Sequence, residues 1–426
     1  MRILWFTTTP ALGSNELNYN GIGCSWVGTL EEALSTSDSS LELGIVFLWD
    51  KEKIDSFISG NTSYFPVHRV YPKSSVRRIF YNWAHKAEPH DNLATYLSII
   101  EKFKPDLIHI FGTENDYGLV INKTKIPAII HIQGNLSTLF NNWFSYLSFA
   151  DLFRYSNFIS LLKGYGLLHD NYRFKRLAER EKEIYKNCRY FMGRTEWDRR
   201  LVKIYSPEST YFHCDEILRN SFYTTTWKPI HKEDLIIIVS TFRPGIYKGL
   251  ETICESKRIL DHLIRNKKLV WQIVGTSEDD EIATIIRRKY SIDFSAIGIQ
   301  LLGAMQEPEL ITILLKADAY VHPSHIDNSP NSLCEAMMLG VPVIATYAGG
   351  IPSLLQNNLE GILVQDGDST ALSAAIMEVL ENPEKALEFG IESRKKALNR
   401  HDPKRIASET SRIYNALINE TQNQNS

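Results

Sequence analysis

The sequence predicts an α/β fold: two Rossmann-like, doubly wound domains facing each other across a cleft. Two observations predict it. The chain has 426 residues, more than one hydrophobic core usually serves, so two domains of roughly 200 residues are expected. Short apolar runs alternate with longer amphipathic stretches from end to end, the pattern of strands joined by crossover helices. In the first half the strand candidates are "RILWF", "LELGIVFL", "DLIHIF", "PAIIHI" and "RYFMG". In the second half they are "DLIIIVS", "LVWQIVG", "IQLLG", "ADAYVH" and "PVIAT". These runs are apolar on both faces, as strands buried between two helix layers must be. "HDNLATYLSIIEKF" and "GLETICESKRILDHLI" represent the intervening helices. The polar, proline-bearing "NSFYTTTWKPIHKED" marks the break, giving a first domain over 1–225 and a second over 226–402. Three helical patterns follow Ala371, and the last, 403–420, is expected to pack back on the first domain. "INETQNQNS" reads as a frayed polar tail.

Composition narrows the class. Hydrophobic residues make up 43% and charged residues 23%, as in ordinary globular proteins. A net charge of −3 supplies no positive field for nucleic acid, which is not an expected partner. The five cysteines form no C-x-x-C and fit reduced cytoplasmic thiols better than disulfides or a zinc site. "MRILWFTTTP" begins directly as a strand without the apolar core of a signal peptide. No run of about 18 apolar residues occurs, so no spanning helix is expected. The expected location is the cytoplasm, with attachment to the inner face of the membrane compatible.

Ligands of open α/β sheets bind beyond the carboxyl ends of the strands. "SHIDNSPNSLCEAMMLGVPVIATYAGG", Ser324 to Gly350, begins at such an end. Pro330 suits the first position of a helix, with Ser329 as its cap. The amides of Asn331, Ser332 and Leu333 would then point outward, and with the helix dipole they make an anion site suited to phosphate. Glu335 leans back toward that end, and Asp327 precedes it. Two carboxylates flanking an anion site suit the hydroxyls of a nucleotide sugar; an ordinary capped helix with two solvated acids fits the spacing too.

The longer stretch "HPSHIDNSPNSLCEAMMLGVPVIATYAGGIPSLLQNNLEGILVQDGDSTAL" resembles the C-terminal signature of family 4 retaining glycosyltransferases of the GT-B fold (glycosyl transferases group 1). That family shows E-x(7)-E, then A-M-A-x-G-x-P-V-I-A-T and a G-G-x-P-E loop. "IIHIQGN", "GRTEWDRRL", "YFHCDEILRNSFY", "YKGLETI" and "GAMQEPELITILLKADAYV" also fall where such proteins have comparable segments. The resemblance implies that Glu335 binds the ribose and Asp327 hydroxyls of the transferred sugar, with Asn328 beside it. It also implies donor contacts at Gly303 and Met305. Asp327 stands where Glu is commoner, and Ser353 replaces the acid of the glycine-pair loop.

"STFRPGIYKGLETI" places Arg243 and Lys248 five apart, with Gly245 expected to make a tight turn between them. Losing a diphosphate builds negative charge, which a fixed guanidinium and ammonium stabilise without a metal. The family resembled uses an R-x(4)-K pair for this, and these two residues match its spacing. Asp366 and Asp368 of "VQDGDST" read as turn and cap residues instead of metal ligands.

In the first half, Gly21 and Gly23 of "GIGCSWVG" make room for sugar, while Trp26 breaks the dinucleotide-binding pattern. Gln133 stands where many family members carry a sugar-contacting histidine. Glu114 of "FGTE" is an acceptor-side candidate for a base, and His109 and His131 read as core or supporting residues. Residues 140–174 hold eleven aromatics, and 61–90 set Arg69, Lys73, Arg77 and Arg78 beside others. These segments are core and solvated faces, or a patch that meets a membrane surface.

The resemblance implies a metal-independent hexosyltransferase of cell-surface polysaccharide synthesis. Its donor would be a UDP-sugar, with a GDP-sugar next, and its acceptor a glycan or lipid-linked oligosaccharide. A nucleotide-sugar epimerase and an inactive sugar-nucleotide-binding protein fit the same motifs. A glycosidase using Asp327 and Glu335 fits less well, because both would crowd a phosphate site.

Overall fold

A computed structural model describes residues 1–17, 26–69, 71–72, 74–85, 92–230 and 233–425. Gly21, Gly23 and Lys73 lie outside the described residues. The chain divides into two compact units. One comprises Met1–Phe140, Tyr172–Arg219 and His401–Ser426; the other comprises Asn141–Asn171 and Asn220–Arg400. Residues 141–171, which a single break near 225 would leave in the first half, therefore cluster with the second unit.

The first unit holds strands β1 (Arg2–Thr7), β2 (Glu42–Trp49), β3 (Phe57–Ser59) and β4 (Thr62–His68). It continues with β5 (Leu107–Phe111), β6 (Ala128–His131), β7 (Tyr190–Gly193) and β8 (Thr210–His213). They form one sheet of order β3-β4-β2-β1-β5-β6-β7-β8. Every pairing is parallel except β3 with β4. β1 shows why its four inner residues are apolar: Ile3 and Trp5 enter one core cluster, Leu4 and Phe6 the other. Successive side chains face opposite sides of a strand, so both faces of this sheet are covered. The helix Pro403–Asn425 supplies Ile406, Ile413, Tyr414 and Leu417 to the first cluster. It runs through the stretch expected to fray. His109 and His131 are fully buried, and His109 Nδ1 lies 2.6 Å from the Tyr414 hydroxyl.

The second unit holds β9 (Leu235–Thr241), β10 (Lys268–Val274), β11 (Ile299–Gly303), β12 (Ala319–His322), β13 (Val343–Thr346) and β14 (Ile362–Val364). Their order is β11-β10-β9-β12-β13-β14, all parallel. The first strand of this sheet, β9, thus lies between the second and the fourth. Connections leave β9 and β12 toward opposite sides, which opens a crevice at their carboxyl ends, the usual ligand position in such sheets. β3, β4, β8 and β14 were not expected from sequence: β3, β8 and β14 are short strands at sheet edges, and polar residues and Pro66 interrupt the apolar pattern of β4. Among the described residues no helix is long and apolar enough to cross a membrane.

Candidate functional site

The loops after β9 and β12 meet at that crevice. Lys248, seven residues past β9, donates from Nζ to Asp327 Oδ2 at 2.6 Å. Asp327 also sits 3.2 Å from His322 Nε2, at the end of β12. Burial by itself would raise the Asp327 pKa; the Lys248 ammonium and the His322 hydrogen bond outweigh it and hold the carboxyl well below the usual range. Burial likewise opposes the charge on Lys248, and Asp327 reverses that, so its pKa is raised. Burial keeps the His322 pKa low despite Asp327, so the neutral ring offers its Nε2–H to the carboxylate. Arg243 is exposed, and its charge reaches Lys248.

Two glycines bring these groups together. Gly249 has φ +76°, and a Cβ there would fall 2.2 Å from the Pro323 carbonyl oxygen. Gly349 has φ +55°, and its Cβ would fall 2.1 Å from the Asp327 carbonyl oxygen. That carbonyl accepts from the Gly350 amide at 2.9 Å. So the glycine pair of "YAGG" braces Asp327 through the backbone. Gly245 was expected to turn the chain, but its φ of −169° is extended backbone that any residue adopts. The left-handed step falls instead at Gly249.

The following helix is Asn331–Leu339, with Pro330 as its N-cap in extended conformation and no side-chain cap. The sequence reading put Pro330 one position too far in and made Ser329 the cap. One expected donor is also lost: the Leu333 amide donates to the Pro330 carbonyl at 3.0 Å. The tight first turn engages it, as commonly happens at helix starts. The amides of Asn331 and Ser332 have no acceptor among the described hydrogen bonds, and both residues are partly exposed. Glu335 is buried, and its charge is felt by the Tyr320 hydroxyl. Asn328 is buried, its amide 3.1 Å from Asp327 Oδ1. Gly303 and Met305 lie at the end of β11, two strands from β9, and no described contact links them to Lys248 or Asp327. Asp368 caps the helix Ser369–Glu381 by accepting from the Ala371 amide at 2.8 Å.

Sequence reasoning missed His322, Gly249 and the His325–Glu251 contact. His325 Nε2 lies 2.5 Å from Glu251 Oε1 inside the protein, and its amide donates to the Tyr247 carbonyl. This ties the loop carrying Lys248 to the loop carrying Asp327. The signal was present as two histidines in "VHPSH", but nothing local says what they face.

In the first unit, Glu114 and Gln133 follow β5 and β6. Gly112 has φ +83°, and a Cβ there would overlap the Glu114 carboxylate; the nearest carboxylate oxygen is 3.5 Å from a Cβ placed on Gly134. Glu114 Oε2 is buried with no hydrogen-bond partner among the described residues. Burial, aided by the Glu181 charge and opposed by backbone amides and Arg194, lifts its pKa to about 7. Gln133 Oε1 accepts from Trp26 Nε1 at 3.1 Å, and its carbonyl accepts from Arg194 at 3.2 Å. Arg194, also missed from sequence, pairs with Glu216 at 3.7 Å within the core.

Residues 224–396 match the family model described as glycosyl transferases group 1. They form a group 1 glycosyltransferase domain. The chain as a whole has the GT-B fold: sucrose-phosphate synthase of Thermosynechococcus elongatus superposes with a TM-score of 0.73 over 99% of this chain and all of that one, at 16% identity. HepE of Anabaena, solved with UDP and glucose, gives a TM-score of 0.61 at 14% identity over 98% of this chain and 100% of that one. Among curated proteins, the amylovoran biosynthesis glycosyltransferase AmsK of Erwinia amylovora is 29% identical over 149 residues, 33% of this chain and 35% of that protein. The capsular polysaccharide biosynthesis glycosyltransferase CapM of Staphylococcus aureus is 25% identical over 175 residues, 41% of this chain and 44% of that protein. The chain thus spans between a third and a half of the length of these curated relatives.

Proposed function

We propose that the chain is a retaining glycosyltransferase. It moves a hexose-type sugar from a nucleotide diphosphate donor to a glycan or lipid-linked oligosaccharide, in cell-surface polysaccharide synthesis. The single observation that carries this reading is the Lys248–Asp327 ion pair, with the charge of Arg243 reaching Lys248 and, four residues past Asp327, a helix start whose first two amides have no acceptor among the described hydrogen bonds. Cation and carboxylate meet where the β9 and β12 connections part, and the helix Asn331–Leu339 begins just beyond that carboxylate. AmsK and CapM, named for polysaccharide synthesis, support the acceptor class. HepE, titled with UDP and glucose, supports a UDP-sugar ahead of a GDP-sugar.

In this reading Lys248, Arg243 and the Asn331 and Ser332 amides hold the diphosphate. Lys248 has three N–H donors, so it keeps Asp327 while reaching a phosphate oxygen. Asp327, with Asn328 behind it, takes hydroxyls of the sugar, and Glu335 takes the ribose. The bond from the anomeric carbon to the diphosphate oxygen breaks as an acceptor hydroxyl bonds to that carbon on the same face. The hydroxyl proton passes to the departing diphosphate, so no protein nucleophile and no metal are required. Preorganised cations act most where charge grows in the transition state. Glu114 and Gln133 belong to the acceptor side, and the reaction takes place in the cytoplasm at the inner face of the membrane.

Thermal-shift measurements against UDP-glucose, UDP-N-acetylglucosamine, GDP-mannose, UDP and GDP test this reading. One base series should raise the melting temperature selectively, and the matching sugar should be transferred with chelator present. No shift with any of the five would sink the proposal.

A further inference from the structure

Residues 146–165 carry an unusual surface. Among the described residues, 21 large apolar side chains are exposed, and seven of them fall in this stretch of 20. Five sit on two short helices, Phe149–Tyr155 and Phe158–Leu162. These are Phe149, Phe153, Phe158, Ile159 and Leu162, each between 50% and 68% exposed. The spacing explains the arrangement. Leu152 and Leu161 turn inward, leaving Phe149 and Phe153 one turn apart on the outer side of the first helix, and Phe158 and Leu162 likewise on the second. The helices are held firmly beneath. Glu281 accepts from the Ser156 hydroxyl at 2.7 Å and the Leu167 amide at 2.8 Å, and Arg288 donates to the Tyr155 carbonyl at 2.8 Å. Exposure is therefore built into a braced element.

The exposed charge that the two helices and their caps carry has one sign. It comes from Arg154 and Lys163, with exposed Arg288 alongside; none is acidic. The stretch contains one carboxylate, Asp151, which is held by Lys289 at 3.0 Å and by the Ser148 cap. Aromatic and aliphatic side chains ringed by cations suit insertion at the level of anionic headgroups.

We infer that the outer face of helices Phe149–Tyr155 and Phe158–Leu162 docks on an anionic lipid surface. Phe149, Phe153, Phe158, Ile159 and Leu162 enter the acyl boundary, and Arg154 and Lys163 meet lipid phosphates. This deepens the reading of a lipid-linked acceptor by naming the surface that delivers it. Docking is measured without nucleotide sugar, so its failure leaves transfer to a soluble glycan standing.

The test is flotation of the full chain with vesicles of phosphatidylglycerol and phosphatidylethanolamine, against vesicles of phosphatidylcholine alone. The wild type should float with the anionic vesicles, and the floated fraction should fall at least tenfold on phosphatidylcholine. F153E/F158E should lose tenfold or more on anionic vesicles, and R154E/K163E should lose several-fold and remove the salt sensitivity. The inward Leu152 and Leu161 are untouched in both, and unchanged thermal unfolding certifies the fold. If wild type remains at the bottom of the gradient, or F153E/F158E floats equally well, the inference is wrong. It is also wrong if sedimentation velocity shows a dimer that F153E/F158E turns into monomer, since the face would then belong to a second copy.

Discussion

Gly349 approaches Asp327 so closely that a methyl group on it would sit 2.1 Å from the Asp327 carbonyl oxygen, at a φ of +55°. The backbone there can be relieved only by moving the loop that bears the carboxylate. Gly349→Ala should therefore lose about 1–3 kcal/mol of stability and at least tenfold in kcat/KM. Gly245→Ala is the control: the residue is extended and its Cβ would meet nothing closer than 3.4 Å. Urea unfolding and steady-state kinetics on both variants check this, and equal losses would refute the assignment.

Lys248 carries the charge nearest to Asp327, and in the proposed reaction it neutralises the departing diphosphate. Lys248→Ala should lower kcat by roughly 10²–10³-fold, the usual cost of one preorganised donor. A loss below threefold with unchanged unfolding would remove Lys248 from the mechanism.

Asp327 has a folded pKa held well below its ordinary 3.8. A depressed carboxylate contributes stability that is fully present above the unfolded value and disappears as pH falls through the folded one. The wild type should thus lose on the order of 2 kcal/mol from this group below about pH 4. Asp327→Asn should flatten that acid limb, as seen in melting temperatures between pH 5 and pH 2.5.

Glu114 behaves in the opposite sense. Its pKa rises from 4.5 to about 7, so the folded state holds the proton more tightly than the unfolded chain does. Its contribution is complete below 4.5 and is lost as pH rises through 7. Glu114→Gln should then be more stable than wild type at pH 8, by ~3 kcal/mol, and equal to it near pH 4. Denaturant midpoints at the two pH values decide it; a variant less stable at pH 8 would show that the carboxylate is paired.

Much of the molecule was legible because it is encoded locally. Ten runs that are apolar on both faces became ten strands, and Asp368 became the cap that a turn before a helix suggests. Where local signals were weak, the reading slipped. β14 is three residues long, and the helix runs on past Leu417 and Ile418, the last of its residues to pack on the first core.

The sequence by itself determined which segments are strands and helices, and which residue types stand at their carboxyl ends. These follow from periodicity, capping and turn chemistry, all of which act within a few residues. Only the tertiary structure decided which ends meet. Lys248 and Asp327 are 79 residues apart and touch because β9 pairs with β12, a parallel pairing made across a long connection. Only the fold showed that Gly249 and Gly349 need a left-handed backbone, that the Leu333 amide is engaged, and that 141–171 cluster with the second unit. Each depends on a backbone or side chain distant in sequence, and spacing along one chain carries no record of that neighbour.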